Sequence, residues 1–328
     1  MEILVIGLGS MGKRRIRLLK RFKEVSNIIG IDARYDRREE TQKLFGCETF
    51  IDIDEAMRNH SAIKCAFVCT SPLSHSKLIT NALNHNLDVF TEINLVSDGY
   101  ERNIKLAKEK GKKLFLSSTM YYREEIQYLI NQLRDKSKLN YIYHVGQFLP
   151  DWHPWENYKE FFVDDEKTNG CREIMAIELP WLLGTFGEVR KTNVLSDKIS
   201  NLNLHYNDNY MIQIEHDNGN KGVLIIDVVS PKAVRNLEIF GRDIYFSWNG
   251  TSNSLECFDV KSKQIKKVNL YEKSENLEGY GSFIVENAYQ NEIREFFNVI
   301  FNASVPRYGF VEDLKVLKLI DRIEGKND

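Results

Sequence analysis

Proline and glycine are scarce in this 328-residue chain, at 6 and 19 residues. That leaves no room for a long disordered linker. Cysteine is scarce too. Cys47, Cys65, Cys69, Cys171 and Cys257 form an odd set without a C-x-x-C pair. This argues against a disulfide framework or a structural zinc site, and for a reducing compartment. Cys65 and Cys69, four apart in an apolar stretch, read as small buried thiols on one side of a strand. An excess of one charge is also missing. Lys+Arg 45 against Asp+Glu 47 leaves a net charge of −2, with no global field to attract a polyanion such as nucleic acid. No apolar run approaches the roughly 20 residues of a membrane span. The first residues, MEILVIGLGSMGKRR, carry their basic side chains after the apolar run, the reverse of a signal peptide, so a cytoplasmic protein is expected. Metal spacing such as H-x-x-x-H is absent among His60, His75, His85, His144, His153, His205 and His216. There is no G-x-S-x-G elbow and no P-loop.

What is present is an ordinary globular composition, 42% hydrophobic and 28% charged, in a chain long enough for two domains. The first third alternates strand-like and helical stretches. Strands are expected at Glu2–Ile6, Asn27–Ile31, Cys65–Thr70, Asp88–Thr91 and Lys113–Leu116. Helices are expected at Met11–Phe22, Asp36–Phe45, Ile53–Asn59, Ser74–Asn84 and Tyr100–Lys110. Such alternation implies βαβ units with right-handed crossovers and a parallel sheet. Past Ser117 the rhythm changes. A helix over Arg123–Leu133, a strand over Leu139–Leu149 and an aromatic loop from Pro150 to Asn169 precede a helix over Cys171–Phe186. Seven strand candidates then follow without intervening helices, from Val189 to Leu270, and two helices close the chain. This implies a mostly antiparallel sheet with helices on one face. The expected architecture is α/β: a Rossmann domain over residues 1–118 and an α/β domain with an open, mostly antiparallel sheet over 119–328.

The clearest motif is Gly7-Leu8-Gly9-Ser10-Met11-Gly12, directly after the first strand and opening a helix. A G-x-G-x-x-G string alone is weak, but here Asp32 stands 20 residues beyond Gly12 at the end of the next strand. Gly7 allows the tight turn, Gly9 lets the backbone approach a pyrophosphate, and Gly12 lets helix and strand pack closely. The helix N-terminus supplies N–H groups and partial positive charge to the phosphates. Asp32 suits the adenosine ribose hydroxyls and favours NAD. Arg34, two residues on, is the alternative partner for the 2′-phosphate of NADP. The basic helix that follows reads as a solvated surface, with Arg14 or Arg15 near the phosphates.

At this point the chain resembles the Gfo/Idh/MocA family, of which glucose–fructose oxidoreductase and inositol dehydrogenase are members. GLGSMGKRRIRLL is similar to that family's fingerprint. Cys69-Thr70-Ser71-Pro72-Leu73-Ser74-His75 is similar to its cofactor loop, which implies cofactor contacts from Thr70, Ser71, Pro72 and His75. Phe186-Gly187-Glu188-Val189 resembles its Phe-Gly-Glu/Asp-Val string. Phe90-Thr91-Glu92-Ile93-Asn94 sits where the family has Glu-Lys-Pro, so Glu92 keeps a possible bond to the nicotinamide ribose while the proton-handling lysine is Ile93. On the helix that the family turns toward the nicotinamide, its Asp-x-x-x-His-x-x-Asp pattern becomes Glu173, Ile177 and Pro180. Isoleucine neither donates nor accepts a proton, so the standard mechanism of the family does not carry over.

Glu173 and His153 are the remaining candidates for acid–base work. The segment Leu149-Pro150-Asp151-Trp152-His153-Pro154-Trp155-Glu156-Asn157-Tyr158-Lys159 resembles the family's substrate loop. Trp152 and Trp155 offer flat faces for a sugar and Tyr158 a polar contact, unless the loop serves as a subunit contact. Arg123 and Arg172 are further substrate candidates, with a surface ion pair as the alternative for Arg172-Glu173. His144 reads as a packing residue. The expected activity is hydride transfer between NAD, or NADP, and a sugar or nucleotide sugar in a homodimer or homotetramer. The alternatives are a non-catalytic dinucleotide-binding protein, and an enzyme using bound NAD for transient oxidation in epimerisation or elimination.

Overall fold

The computed structural model describes residues 1–136, 138–152, 156–276 and 281–326. The chain divides into two compact units, 1–118 with 289–314, and 119–288 with 315–328.

The first unit runs β1 (Glu2–Ile6), α1 (Ser10–Leu19), β2 (Asn27–Ile31), α2 (Tyr35–Phe45), β3 (Glu48–Phe50), α3 (Ile53–Asn59), β4 (Ile63–Val68), α4 (Pro72–Asn84), β5 (Asp88–Thr91), α5 (Tyr100–Glu109) and β6 (Leu114–Leu116). Its sheet is ordered β3-β2-β1-β4-β5-β6, and every pairing among the described residues is parallel. This is the doubly wound order, in which a ligand binds beyond the carboxyl ends of β1 and β4, where the winding reverses. The strands are apolar throughout because helices cover both faces: Ile3, Leu4, Val5, Cys65, Ala66, Phe67 and Val68 are all fully buried. β3 is absent from the sequence expectation. Its three residues, Glu-Thr-Phe, are too short to show a period, and only pairing with Ile29–Ile31 makes them a strand.

The second unit contains α6 (Glu124–Leu133), β7 (Asn140–Gly146), α7 (Gly170–Phe186), β8 (Val189–Asp197), β9 (Asn209–His216), β10 (Lys221–Asp227), β11 (Val234–Gly241), β12 (Ile244–Trp248), β13 (Glu256–Asp259) and β14 (Gln264–Lys267). The sheet order is β14-β13-β12-β11-β7-β10-β9-β8, antiparallel except for the parallel pair β7–β10. Alternation assigns its faces. Tyr141, Tyr143, Leu224, Ile226, Ile212 and Ile214 are buried on the face that carries α7. There Tyr143 meets Trp181 edge-on and Tyr141 stacks on Phe186. The opposite face carries Ile142, Met211 and Phe240, all exposed. His216-Asp217-Asn218-Gly219-Asn220 makes the β9–β10 turn, closed by His216 N–H to the Asn220 carbonyl, with Gly219 at φ +85°.

Two helices close the chain, α8 (Glu286–Phe301) and α9 (Phe310–Ile323). A contiguous second domain over 119–328 would hold both. Instead, residues 289–314 belong with the first unit. There Phe296 packs edge-on against Phe67, Phe90 and Phe115, so an apolar helix face completes the core of the first unit.

Candidate functional site

The glycine turn of the first unit has the geometry a pyrophosphate requires. Gly7 lies at φ +92°, and a Cβ there would stand 2.8 Å from the Cys69 carbonyl oxygen and the Thr70 methyl. A Cβ on Gly12 would fall 1.8 Å from the Gly7 carbonyl oxygen, so only glycine lets α1 start this close to β1. Gly9 caps α1, which begins at Ser10. The N–H groups of Met11 and Gly12 lie in the helix's first turn, where an anion is favoured. Asp32 ends β2 with its carboxylate tied to this turn: Oδ2 accepts the Leu8 N–H at 2.8 Å and Oδ1 the Arg34 N–H at 2.9 Å. The residues present therefore fit a dinucleotide, with backbone donors for its phosphates and a fixed carboxylate for a ribose.

Arg34 does not stand beside Asp32 as a phosphate partner. It is exposed, and its guanidinium is paired with Asp36 through Nε at 3.1 Å and Nη2 at 2.5 Å. That pair holds the Asp36 carboxyl down to a pKa of about 2. Arg38 turns back to the Asp32 and Ala33 carbonyls. The arginine that faces Asp32 is Arg37, from the first turn of α2, with Nη1 3.7 Å from Asp32 Oδ2. Sequence reasoning missed it. The available signal was its place five residues beyond Asp32, where the first helical turn folds back toward the strand end.

The loop after β4 is self-bonded. Thr70 Oγ1 and the Ser74 hydroxyl lie 2.6 Å apart, and Ser74 also donates to the Ser71 carbonyl. Ser71 caps α4, and Pro72 is its first residue. His75 is buried and braces the loop. Its Nε2 is 2.9 Å from the Thr70 carbonyl, and Nδ1 is 2.8 Å from the Asn94 side-chain amide. Burial lowers its pKa, which keeps the ring neutral at pH 7.

Arg15 departs from the expectation of a solvated or phosphate-facing side chain. It is fully buried in the first unit. Its Nε donates to Glu92 Oε1 at 2.6 Å, and its Nη2 to Glu92 Oε2 at 3.1 Å and Glu292 Oε2 at 2.7 Å. Glu292 Oε1 also accepts from the Ser117 hydroxyl and the Ser118 N–H. The guanidinium lies 4.5 Å from the Phe90 ring centroid. Burial alone would lower the Arg15 pKa, but the two carboxylates outweigh it and hold the cation more firmly than usual. Glu92 therefore reaches the end of β5 with its carboxylate already committed to Arg15. Glu292 left no sequence signal, being 277 residues from Arg15.

In the second unit two expected substrate contacts are internal. Arg123 is buried and spends its donors on Glu125, the Phe283 carbonyl and the Gly250 carbonyl, 5.0 Å from the Trp248 ring centroid. Arg172 is buried against Asp321 and Glu324, joining the start of α7 to the last helical turn. Both are anchors: their hydrogen-bonding capacity serves the fold. His144 donates or accepts at 2.7 Å with Asp227 and is partly exposed, so it is not packed in the core.

Glu173 differs from all of these. It lies in the first turn of α7, four residues before Ile177, and both side chains are partly covered. Its Oε2 is buried with no hydrogen-bond partner among the described residues. Burial pushes its pKa up to about 8. One turn earlier, a Cβ on Gly170 would be 3.5 Å from the Trp152 ring edge, so Trp152 and the start of α7 are neighbours. Trp152 is half-buried and its indole N–H donates to the Gln147 carbonyl at 3.2 Å. Tyr158 opens a short 3-10 turn and is half-buried. His153 and Trp155 lie outside the described residues. Among the described residues no group of acidic, histidine or cysteine side chains could hold a metal ion, and no helix is long and apolar enough to cross a membrane.

No curated protein sequence matches the chain. Solved structures do match its fold. UDP-N-acetylglucosamine 3-dehydrogenase from Acidithiobacillus ferrooxidans superposes with a TM-score of 0.80 at 16% identity, covering 99% of this chain and 97% of that one. Myo-inositol 2-dehydrogenase from Lactobacillus plantarum gives 0.78 at 15%, covering 99% and 96%. An oxidoreductase from Agrobacterium radiobacter, in complex with NAD⁺, L-tartaric acid and magnesium, gives 0.78 at 14%, covering 98% and 94%. At these identities the likeness is one of fold. The Gfo/Idh/MocA model, an oxidoreductase family with an NAD-binding Rossmann fold, matches residues 1–118. The glycine turn, Asp32 and the β3-β2-β1-β4-β5-β6 sheet agree with that match, and the first 118 residues carry the NAD-binding Rossmann fold of the Gfo/Idh/MocA oxidoreductases.

Proposed function

We propose that this chain is an NAD-dependent oxidoreductase acting on a sugar or nucleotide-sugar-like substrate, with Glu173 handling the proton. Residues 1–118 bind the cofactor, and residues 119–328 carry the substrate groups. The supporting observation is the Glu173 carboxyl, with Oε2 buried and without a hydrogen-bond partner among the described residues, and with burial pushing its pKa up to about 8. A structural ion pair would keep a glutamate ionised at neutral pH. This one is protonated there, the state a general acid needs, and becomes a base just above pH 8. Ile93 and Ile177, at the positions of the family's lysine and histidine, have no such capacity. NAD, when bound, supplies the hydride acceptor. The polyol and nucleotide-sugar substrates in the names of the similar dehydrogenases support a hydroxylated substrate. Trp152 gives it a flat apolar face and Tyr158 a hydroxyl. The exposed Ile142, Met211 and Phe240 on the second sheet support self-association into a dimer or tetramer.

The test is incubation with NAD⁺ or NADH and a panel of sugars, polyols and nucleotide sugars. Oxidation should rise with pH through about 8 and collapse in Glu173→Gln. Cofactor binding without any change at the nicotinamide absorbance band would overturn the proposal in favour of a non-catalytic binding protein. Turnover without net NADH would replace it with transient oxidation.

A further inference from the structure

Arg172 and Glu173 are neighbours in the first turn of α7, yet the cation is spent elsewhere. Side chains at adjacent helical positions diverge by about 100°. Arg172 Nη2 lies 2.7 Å from Asp321 Oδ1, and its Nη1 is bonded to Glu324 Oε2. Asp321 stands in the last turn of α9, and Glu324 directly follows that helix. Glu324 has a second grip on the start of α7. Its Oε1 accepts from Asn169 Nδ2 at 2.7 Å. Asn169 is the cap of α7: its Oδ1 accepts the Arg172 N–H at 2.8 Å, and its carbonyl accepts the Glu173 N–H at 2.9 Å. The side chains of Arg172 and Glu324 are buried, and so is Asn169. A cation in the first turn of a helix opposes the helix dipole, so Arg172 depends on these two acids for its place. Without them a buried guanidinium is left uncompensated, and Glu173 is the one acid in the first turn of its own helix.

We propose that Asp321 and Glu324 are positioning residues for Glu173: by holding Arg172 and the Asn169 cap, they fix the first turn of α7 and keep the guanidinium occupied away from the Glu173 carboxyl. The inference rests on the reading of Glu173 as the proton carrier. The other titratable side chains near this turn are Asp164 and Glu166 before it and Tyr206, Asp208, Tyr210 and Asp227 on the sheet side. On the α6 side of the helix they are Tyr121, Tyr122 and Glu125. Burial is the one cause of the raised Glu173 pKa. Removing the charges of Asp321 and Glu324 has two consequences of the same sign. The freed guanidinium favours an ionised carboxyl beside it, and a loosened first turn admits water. Each lowers the Glu173 pKa.

The experiment compares urea midpoints between pH 6 and 8 for the full native chain, for Asp321→Asn with Glu324→Gln, and for each of these with Glu173→Gln added. In the native chain stability should fall as pH rises across this range, because the folded carboxyl keeps a proton that the unfolded one has lost. Glu173→Gln should remove that fall. In the paired variant Glu173→Gln should change the slope by less than half as much, since the carboxyl is already ionised. Oxidation kinetics give a second readout. The rise near pH 8 should move down by about one unit in the paired variant, with KM for NAD changed less than twofold. A clamp that only stabilises the fold would lower every midpoint and leave the slope difference and the rise where they were. That result would overturn the proposal, as would a native slope that Glu173→Gln leaves intact. The midpoints need no substrate. A chain without turnover would therefore count against Glu173 as proton carrier, while the slopes would still uphold or overturn the clamp. Should the paired variant fail to fold, Glu324→Gln alone should move both readouts in the same direction, and no movement would overturn the assignment.

Discussion

Two buried acidic sites, one in each unit, use the same residue type to opposite ends. In the first unit, Glu92 and Glu292 share Arg15, and each carboxylate is hydrogen-bonded. In the second, Glu173 has one oxygen buried without a partner among the described residues. Burial raises the pKa of any carboxyl. At Glu292 the pull of Arg15 opposes that rise without cancelling it. At Glu173 no cation among the described residues opposes it, and the carboxyl reaches about 8. The comparison teaches that a cation beside a buried glutamate makes it part of the scaffold. A missing cation leaves a group that exchanges its proton near neutral pH, and stability is the cost.

The sharpest break of that contrast is Glu173→Gln. Loss of a general acid–base group should cut kcat by about 10²–10⁴ and remove the pH limb near 8, with KM for NAD little changed. Steady-state kinetics between pH 6 and 10 would show it. An unaltered pH profile would move the proton to another residue.

Arg15→Met is next. It strands two carboxylates in the core of the first unit and should destabilise that unit by about 3–5 kcal/mol, read from urea midpoints. A small effect would mean that the acids escape to solvent or share a proton.

Glu173 also predicts a dependence of stability on pH. Its folded pKa of about 8 lies above that of an unfolded glutamate, so between roughly pH 4.5 and 8 the folded chain binds more protons. Its contribution to stability is therefore full below that window and declines as pH rises through it, by up to about 1.4 kcal/mol per pH unit. Glu173→Gln should flatten this slope, and urea titrations at several pH values would measure the difference. A native slope identical to that of the variant would contradict the burial of this carboxyl.

The smallest effect is expected from Glu292→Gln. It relieves the charge excess around Arg15 and keeps an oxygen for the Ser118 N–H. The change should stay below about 2 kcal/mol by the same denaturation, well under that of Arg15→Met.

Much of the first unit was legible before folding. The glycine string, Asp32 and the alternation of strands with helices each reflect a local rule: a positive φ, a helix start, a period. Glu173 was a candidate only through the family resemblance, as the residue standing where that family has an aspartate. The internal partners of Arg123, Arg172, Arg34 and Arg15 went unread together, for one reason. A guanidinium looks the same in sequence whether it meets a ligand or a carboxylate, and three of the four take carboxylate or carbonyl partners that only folding brings near. Arg34 and Arg123, whose carboxylate partners Asp36 and Glu125 are each two residues away, are the cases that close reading could have caught.

By itself, the sequence determined where most strands and helices run, β3 excepted, which turn must be glycine and which unit carries a dinucleotide. These follow from backbone sterics and from periodicity within a few residues. Tertiary structure alone decided that residues 289–314 complete the first unit and that Arg37 rather than Arg34 faces Asp32. It also decided that Glu92 is paired while Glu173 Oε2 has no hydrogen-bond partner among the described residues. Those outcomes depend on distance and burial between residues far apart in the chain, and charge states follow from the partners so assembled.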